Sequence, residues 1–177
     1  MIAPVFVDTN VFVYWRDSTD TSKQVRATEW LTTLWRENRG RTRTQVLAEY
    51  YTVVSRKPGM RMPREAAWRD VQALRSWKPQ PVDVELLDRA HAIELKHRLS
   101  WWDCQVVAAA QMQGCHLLLT EDLQDGATYD GVVTRSPFTM KVAEEAGAYT
   151  LPPRYPSRHR GRGRPRRNVG RGMSSDG

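Results

Sequence analysis

Four acidic residues of this 177-residue chain, Asp8, Glu49, Asp103 and Asp122, stand where solvation of a surface carboxylate does not account for them. Asp8 directly follows the apolar run Val5-Phe6-Val7, and Asp122 follows Leu117-Leu118-Leu119 after Thr120 and Glu121. Asp103 falls in the first turn of a helix that Ser100 opens. At about 100° per residue it lies roughly 20° from Ala110, 40° from Val107 and 60° from Val106, on the apolar stripe. Glu49 borders a stripe in the same way, between Val46 and Val53. A carboxylate on a core-facing stripe needs compensation, from an arginine, from hydrogen bonds or from a cation. Three of the acids also have a plainer reading: Asp8-Thr9-Asn10 as a turn, Asp122 at a helix start behind Thr120, and Asp103 as cap partner of Ser100. If the four converge, their mutual repulsion raises their pKa values, and a hard divalent ion relieves it. Mg²⁺ prefers oxygen ligands and is typically held by one or two carboxylates plus substrate phosphate oxygens. Such a centre suits phosphodiester hydrolysis, because the ion acidifies and orients a bound water and neutralises charge on phosphate. The acids are about 40, 50 and 20 residues apart, so convergence is left to the fold.

The elements that would have to position them are legible as alternating periods. Residues 5–7, 117–119 and 132–133 read as short strands, with a weaker strand signal at 41–44. Helical spacing of apolar residues marks 21–38, 45–55, 84–98 and 101–113, and Pro63 opens a plausible helix over 63–76. Strands separated by helices argue for an α/β fold, a parallel sheet with helices on both faces. In such sheets sites lie beyond the carboxyl ends of strands, where Asp8 and Asp122 fall.

Other candidates carry less. His91 and His97, six apart with Glu94 between, sit about 120° apart on a helix, so one helix does not aim both at one zinc ion. Cys104 beside Asp103 reads as a small buried residue rather than a nucleophile. Of the neighbours Trp101 and Trp102, which point about 100° apart, only one faces the site easily, where it could stack on a base. Two cysteines exclude a disulfide scaffold and a four-cysteine zinc site and fit a reducing compartment. The apolar runs are far shorter than a membrane span requires, and no secretory signal is read, so the expectation is a cytoplasmic protein with no membrane partner. The net charge of +7 is concentrated: residues 151–177 hold eight arginines and one acid, whereas residues 1–150 hold 19 basic and 19 acidic residues. The expected organisation is therefore a neutral domain over 1–150 and a disordered Arg/Gly/Pro-rich tail over 151–177, too polar to offset the entropy of ordering.

Four segments in order resemble the motifs of PIN-domain ribonucleases. They are Val7-Asp8-Thr9-Asn10-Val11-Phe12-Val13-Tyr14, Gln45-Val46-Leu47-Ala48-Glu49-Tyr50-Tyr51, Leu99-Ser100-Trp101-Trp102-Asp103-Cys104-Gln105 with the apolar run after it, and Leu118-Leu119-Thr120-Glu121-Asp122-Leu123-Gln124-Asp125-Gly126. Their wording is nearest the VapC-type toxins of bacterial toxin–antitoxin pairs. The resemblance implies a three-layer α/β/α sandwich around a mostly parallel sheet of about four to five strands. It implies an Mg²⁺-dependent endoribonuclease, with Mn²⁺ as substitute, in which Asp8, Glu49, Asp103 and Asp122 form the catalytic cluster. Asp8 and Asp103 would be the principal metal ligands, Asn10 and Thr120 would support them, and Asp122 is favoured over Asp125. It further implies an RNA substrate, a cognate antitoxin protein and a homodimer. Arg162-Gly163-Arg164-Pro165-Arg166 resembles the core of an AT-hook, so Arg162, Arg164 and Arg166 are candidate nucleic-acid contacts; a DNA contact would come through this tail or through the antitoxin. Two other readings stand beside the toxin: a PIN nuclease of RNA processing outside a toxin pair, and a catalytically idle PIN fold serving as a nucleic-acid-binding or regulatory module.

Overall fold

The computed structural model describes residues 3–145. The expected boundary at residue 150 and the basic tail with Arg162, Arg164 and Arg166 lie outside the described residues. The elements run β1 (Val5–Val7), α1 (Thr9–Arg16), α2 (Thr21–Arg36), β2 (Gly40–Arg41), α3 (Thr44–Arg56), α4 (Arg64–Leu74), α5 (Val84–His97), α6 (Trp101–Met112), β3 (Leu117–Leu119), β4 (Thr128–Tyr129) and β5 (Val132–Arg135). Short 3-10 turns follow α4 at Arg75–Trp77 and close the described chain at Val142–Glu144.

One sheet carries all five strands in the order β2-β1-β3-β5-β4. Every pairing is parallel except the hairpin β4–β5 at the edge. Strand periodicity then divides the interior into two layers. Val5, Val7, Leu117 and Leu119 face a core built with α1 to α4, while Phe6 and Leu118 face a second core built with α5 and α6. The result is the expected three-layer sandwich with five strands. Runs that are apolar throughout, such as β1 and β3, are what a sheet covered on both faces requires.

Capping signals set the helix starts. Asp20 accepts from the Lys23 amide (3.0 Å) and Asp83 from the Leu86 amide (2.9 Å), each satisfying a free N–H of the first turn. Helix α1 was not read from the sequence, because Asp8-Thr9-Asn10 looks like a turn. The aspartate is in fact its N-cap, and the buried Val11 and Phe12 anchor it, with Val13, Tyr14 and Trp15 packed partly buried against the same core. Strand β4 was also missed, since two residues are too few to show a period.

Candidate active site

Beyond the carboxyl ends of β1 and β3, two adjacent parallel strands deliver Asp8 and Thr120 side by side. The ladder that pairs Val7 with Leu119 continues through the Asp8 amide, which donates to the Leu119 carbonyl (3.1 Å). The Asp8 carboxylate is buried. Its Oδ1 accepts from the Thr9 amide (2.8 Å) and its Oδ2 from the Thr120 hydroxyl (2.9 Å). The Thr120 oxygen in turn accepts from Asn10 Nδ2 (3.2 Å) and from the Asp122 amide (3.1 Å). One donor and two acceptor positions exhaust what a hydroxyl offers. Asn10 Nδ2 also reaches Asp122 Oδ2 (3.1 Å), so Asn10 and Thr120 tie Asp8 to Asp122.

Glu49 joins this group through one more residue. It lies on the exposed side of α3, with Oε2 accepting from the Thr9 hydroxyl (2.9 Å) and Oε1 from Gln45 Nε2 one turn earlier (2.7 Å). The neighbouring acids are committed elsewhere. Glu121 pairs with Lys23, and Asp125 accepts from Arg135 Nε (3.0 Å) and the Ser136 amide (2.9 Å), which leaves Asp122 as the acid of this loop that meets Asp8.

Asp103 is placed differently. Its amide donates to the Ser100 hydroxyl oxygen (3.1 Å), and that hydroxyl donates back to Asp103 Oδ2 (2.6 Å). The cap reading of Ser100 and Asp103 is realised. The carboxylate is half-buried at the start of α6 and takes no part in the hydrogen-bonded network of Asp8, Asn10, Thr120 and Asp122. Among the described residues no three His, Cys, Asp or Glu side chains are grouped so as to hold a metal ion.

Burial sets the electrostatics. Loss of water pushes the Asp8 carboxyl up to about 6 from its ordinary 3.8, and the negative Asp122 adds to the rise. The hydrogen bonds from Thr9 and Thr120 and the charge of Arg43 oppose it. Arg43 was not singled out from the sequence. It is the residue before α3, 2% exposed, with Nη1 donating to Gln105 Oε1 on α6 (3.1 Å) and Nε buried without a partner. Burial pushes the Arg43 guanidinium below its ordinary value, and the negative Asp8 and Glu49 oppose that shift. A signal for the pair existed in Gln105, the one polar residue in the otherwise apolar stretch from Cys104 to Ala110, all of it buried.

The remaining candidates settle as bystanders. His91 turns to Glu94 (3.5 Å) and His97 to Asp130 (3.2 Å), so they share no ion. Burial pushes the Cys104 thiol up to about 11, which keeps it a protonated core residue. Trp101 packs against the α5–α6 core, whereas Trp102 points outward, 59% exposed.

A family model described as PIN domain matches residues 5–124. The crystal structure of Mycobacterium tuberculosis VapC20, described as a sarcin-ricin loop cleaving toxin, is similar over 67% of this chain and 89% of its own, with 21% identity and a TM-score of 0.49. No curated protein matches the chain.

Proposed function

We propose, for a chain that belongs to the PIN domain family, that the acids around Asp8 make it a metal-dependent endoribonuclease, the toxin of a VapC-type toxin–antitoxin pair. The observation that carries this reading is the buried Asp8 at the carboxyl end of a central parallel strand, joined through Thr120 and Asn10 to Asp122. The donor set fits a hard divalent ion. Asn10 Oδ1 is buried and without a partner among the described residues, on a side chain whose Nδ2 contacts Asp122, and Asp8 bears a cost of burial that a cation would offset. Mg²⁺, or Mn²⁺ in its place, would be held by Asp8 and Asp103, with Glu49 and Asp122 completing the cluster directly or through water.

When bound, the ion supplies an acidified water and neutralises phosphate charge. The chain's own residues supply position. Thr9 and Thr120 fix both oxygens of Asp8, Asn10 orients Asp122, and Gln45 with Thr9 holds Glu49 at the exposed rim. Pinned carboxylates lose little entropy when an ion and a phosphate arrive. The toxin part of the reading rests on the wording of the four motifs. It brings with it an RNA substrate, an antitoxin partner, a homodimer and a cytoplasmic setting. No helix among the described residues is long and apolar enough to cross a membrane.

One observation favours a second reading, an idle PIN fold that binds nucleic acid: Asp103 is engaged by its own cap, outside the network of the other acids. The test compares the protein with its Asp103→Asn variant on structured RNA, with Mg²⁺ and with excess chelator. Cleavage by the unaltered protein only, and only with metal, is the expected result. An inactive protein that still binds RNA supports the idle reading. Equal cleavage by both proteins assigns Asp103 to helix capping alone or exposes a contaminating nuclease.

A further inference from the structure

A buried arginine beside Asp8, at the neighbouring carboxyl end of β2, is unexpected for a centre that would attract a cation. Arg43 cannot serve RNA directly, because only 2% of it reaches solvent. Its one hydrogen bond, Nη1 to Gln105 Oε1, links the start of α3, which carries Glu49, to α6, which carries Asp103. The backbone holds it in place as well. Arg43 is bridged in parallel to Gln80, with the Thr44 amide donating to the Gln80 carbonyl and the Gln80 amide to the Thr42 carbonyl (both 3.0 Å). The guanidinium thus has little freedom to leave. The parallel register that pairs Phe6 with Arg41 brings Arg43, two residues on, level with Asp8, and between them the Thr42 hydroxyl donates to the Val7 carbonyl (3.1 Å). The Arg43 Nε is a buried donor without an acceptor among the described residues. A bare cluster of carboxylates would repel itself apart or take up protons.

We propose that Arg43 is a resident counter-cation of the acidic centre, a positioning residue that keeps the carboxylates gathered before metal arrives and weakens the metal's hold once it has. The inference rests on the metal-site reading above. Its logic is electrostatic: a fixed positive charge near the carboxylates stabilises the empty centre and repels a divalent ion that enters it. Loss of the charge therefore has opposite effects on the two states. The metal-free protein becomes less stable, while the ion binds more tightly. A residue that only braces the fold would weaken both.

The experiment measures Mn²⁺ binding by calorimetry at pH 8, where the carboxylates are ionised, together with thermal melting in chelator and in Mn²⁺. The variants are Arg43→Met, Arg43→Lys and the double variant R43M/Q105L. The double variant removes both members of the buried polar pair and so leaves no unpaired group if the single variant fails to fold. The expected result is Mn²⁺ binding about tenfold tighter in the neutral variants, a lower melting temperature in chelator and a larger upward shift with Mn²⁺, with Arg43→Lys close to the unaltered protein. Unchanged or weaker Mn²⁺ binding in a folded neutral variant overturns the role of Arg43 while leaving the metal site standing. Absence of Mn²⁺ binding by the unaltered protein overturns both.

Discussion

At the scale of the residue, Asp8 is stable in the wrong protonation state for a core and in the right one for a cation. Its carboxyl ionises near 6 in the folded protein and near 3.8 when exposed, so folding costs more once both forms are charged. The penalty is absent at low pH, grows as pH rises from about 4 to 6 and is constant above that, worth on the order of 3 kcal/mol. Asp8→Asn should therefore raise the melting temperature of the chelated protein at pH 8, with the gain disappearing toward pH 4, while RNA cleavage is lost. A stability gain that persists unchanged at pH 4 would mean that ionisation is not its cause. Thr120→Val tests the hub itself. It removes a donor to Asp8 and an acceptor for two N–H groups, and is expected to destabilise the fold by about 1–3 kcal/mol in a urea titration. Thr120→Ser should retain most of that stability.

At the scale of the element, the start of α6 serves two purposes that one substitution separates. Ser100 caps the helix through the Asp103 amide and also holds the Asp103 carboxylate. Ser100→Ala should cost about 1 kcal/mol of stability from the lost cap. If Asp103 is a ligand, freeing its carboxylate should leave metal-dependent cleavage in place, so stability and activity should part company. A loss of both in proportion would tie activity to helix integrity instead. Strand β2 makes a second element-scale case. A Cβ at Gly40 would sit 2.5 Å from the Trp77 ring, which packs across this edge of the sheet. Gly40→Ala should destabilise by about 1–3 kcal/mol through overpacking, seen as a lower urea midpoint with an unchanged slope.

At the scale of the whole molecule, the two ends of the described chain are stitched together away from the acids. Arg39, just before β2, makes two bonds to the Glu145 carboxylate (2.8 Å each) and one to the Ala3 carbonyl (3.0 Å), with both charged side chains buried. Arg39→Met would leave Glu145 charged without its principal partner and should cost about 3–5 kcal/mol. The net-neutral body and the arginine tail predict a division of labour in RNA binding. Truncation after Tyr149 removes eight arginines and should flatten the dependence of RNA affinity on salt. An unchanged slope in the truncated protein would place the phosphate contacts on the body.

The order of strands and helices apart from α1 and β4, the two-sided burial of β1 and β3 and the four acids were legible in the chain, because a local period and a local motif carry them. Asp8 and Asp122 were also legible as a pair at strand ends, since a parallel sheet aligns its carboxyl edges. What the sequence left open was which compensation the buried acids receive: an arginine, hydrogen bonds or a cation. The tertiary structure shows hydrogen bonds at Asp8. Thr120, 112 residues from Asp8, donates to it, and Arg43, 62 residues from Gln105, donates to that side chain from the start of α3. Neither partnership has a spacing to read, because both depend on how strands and helices far apart in the chain pack together. The same holds for Asp125, the competing acid near Asp122, which pairs with Arg135, and for Glu121, which pairs with Lys23. The chain determines which residues can bear charge at the edge of the sheet; packing alone decides which charges meet.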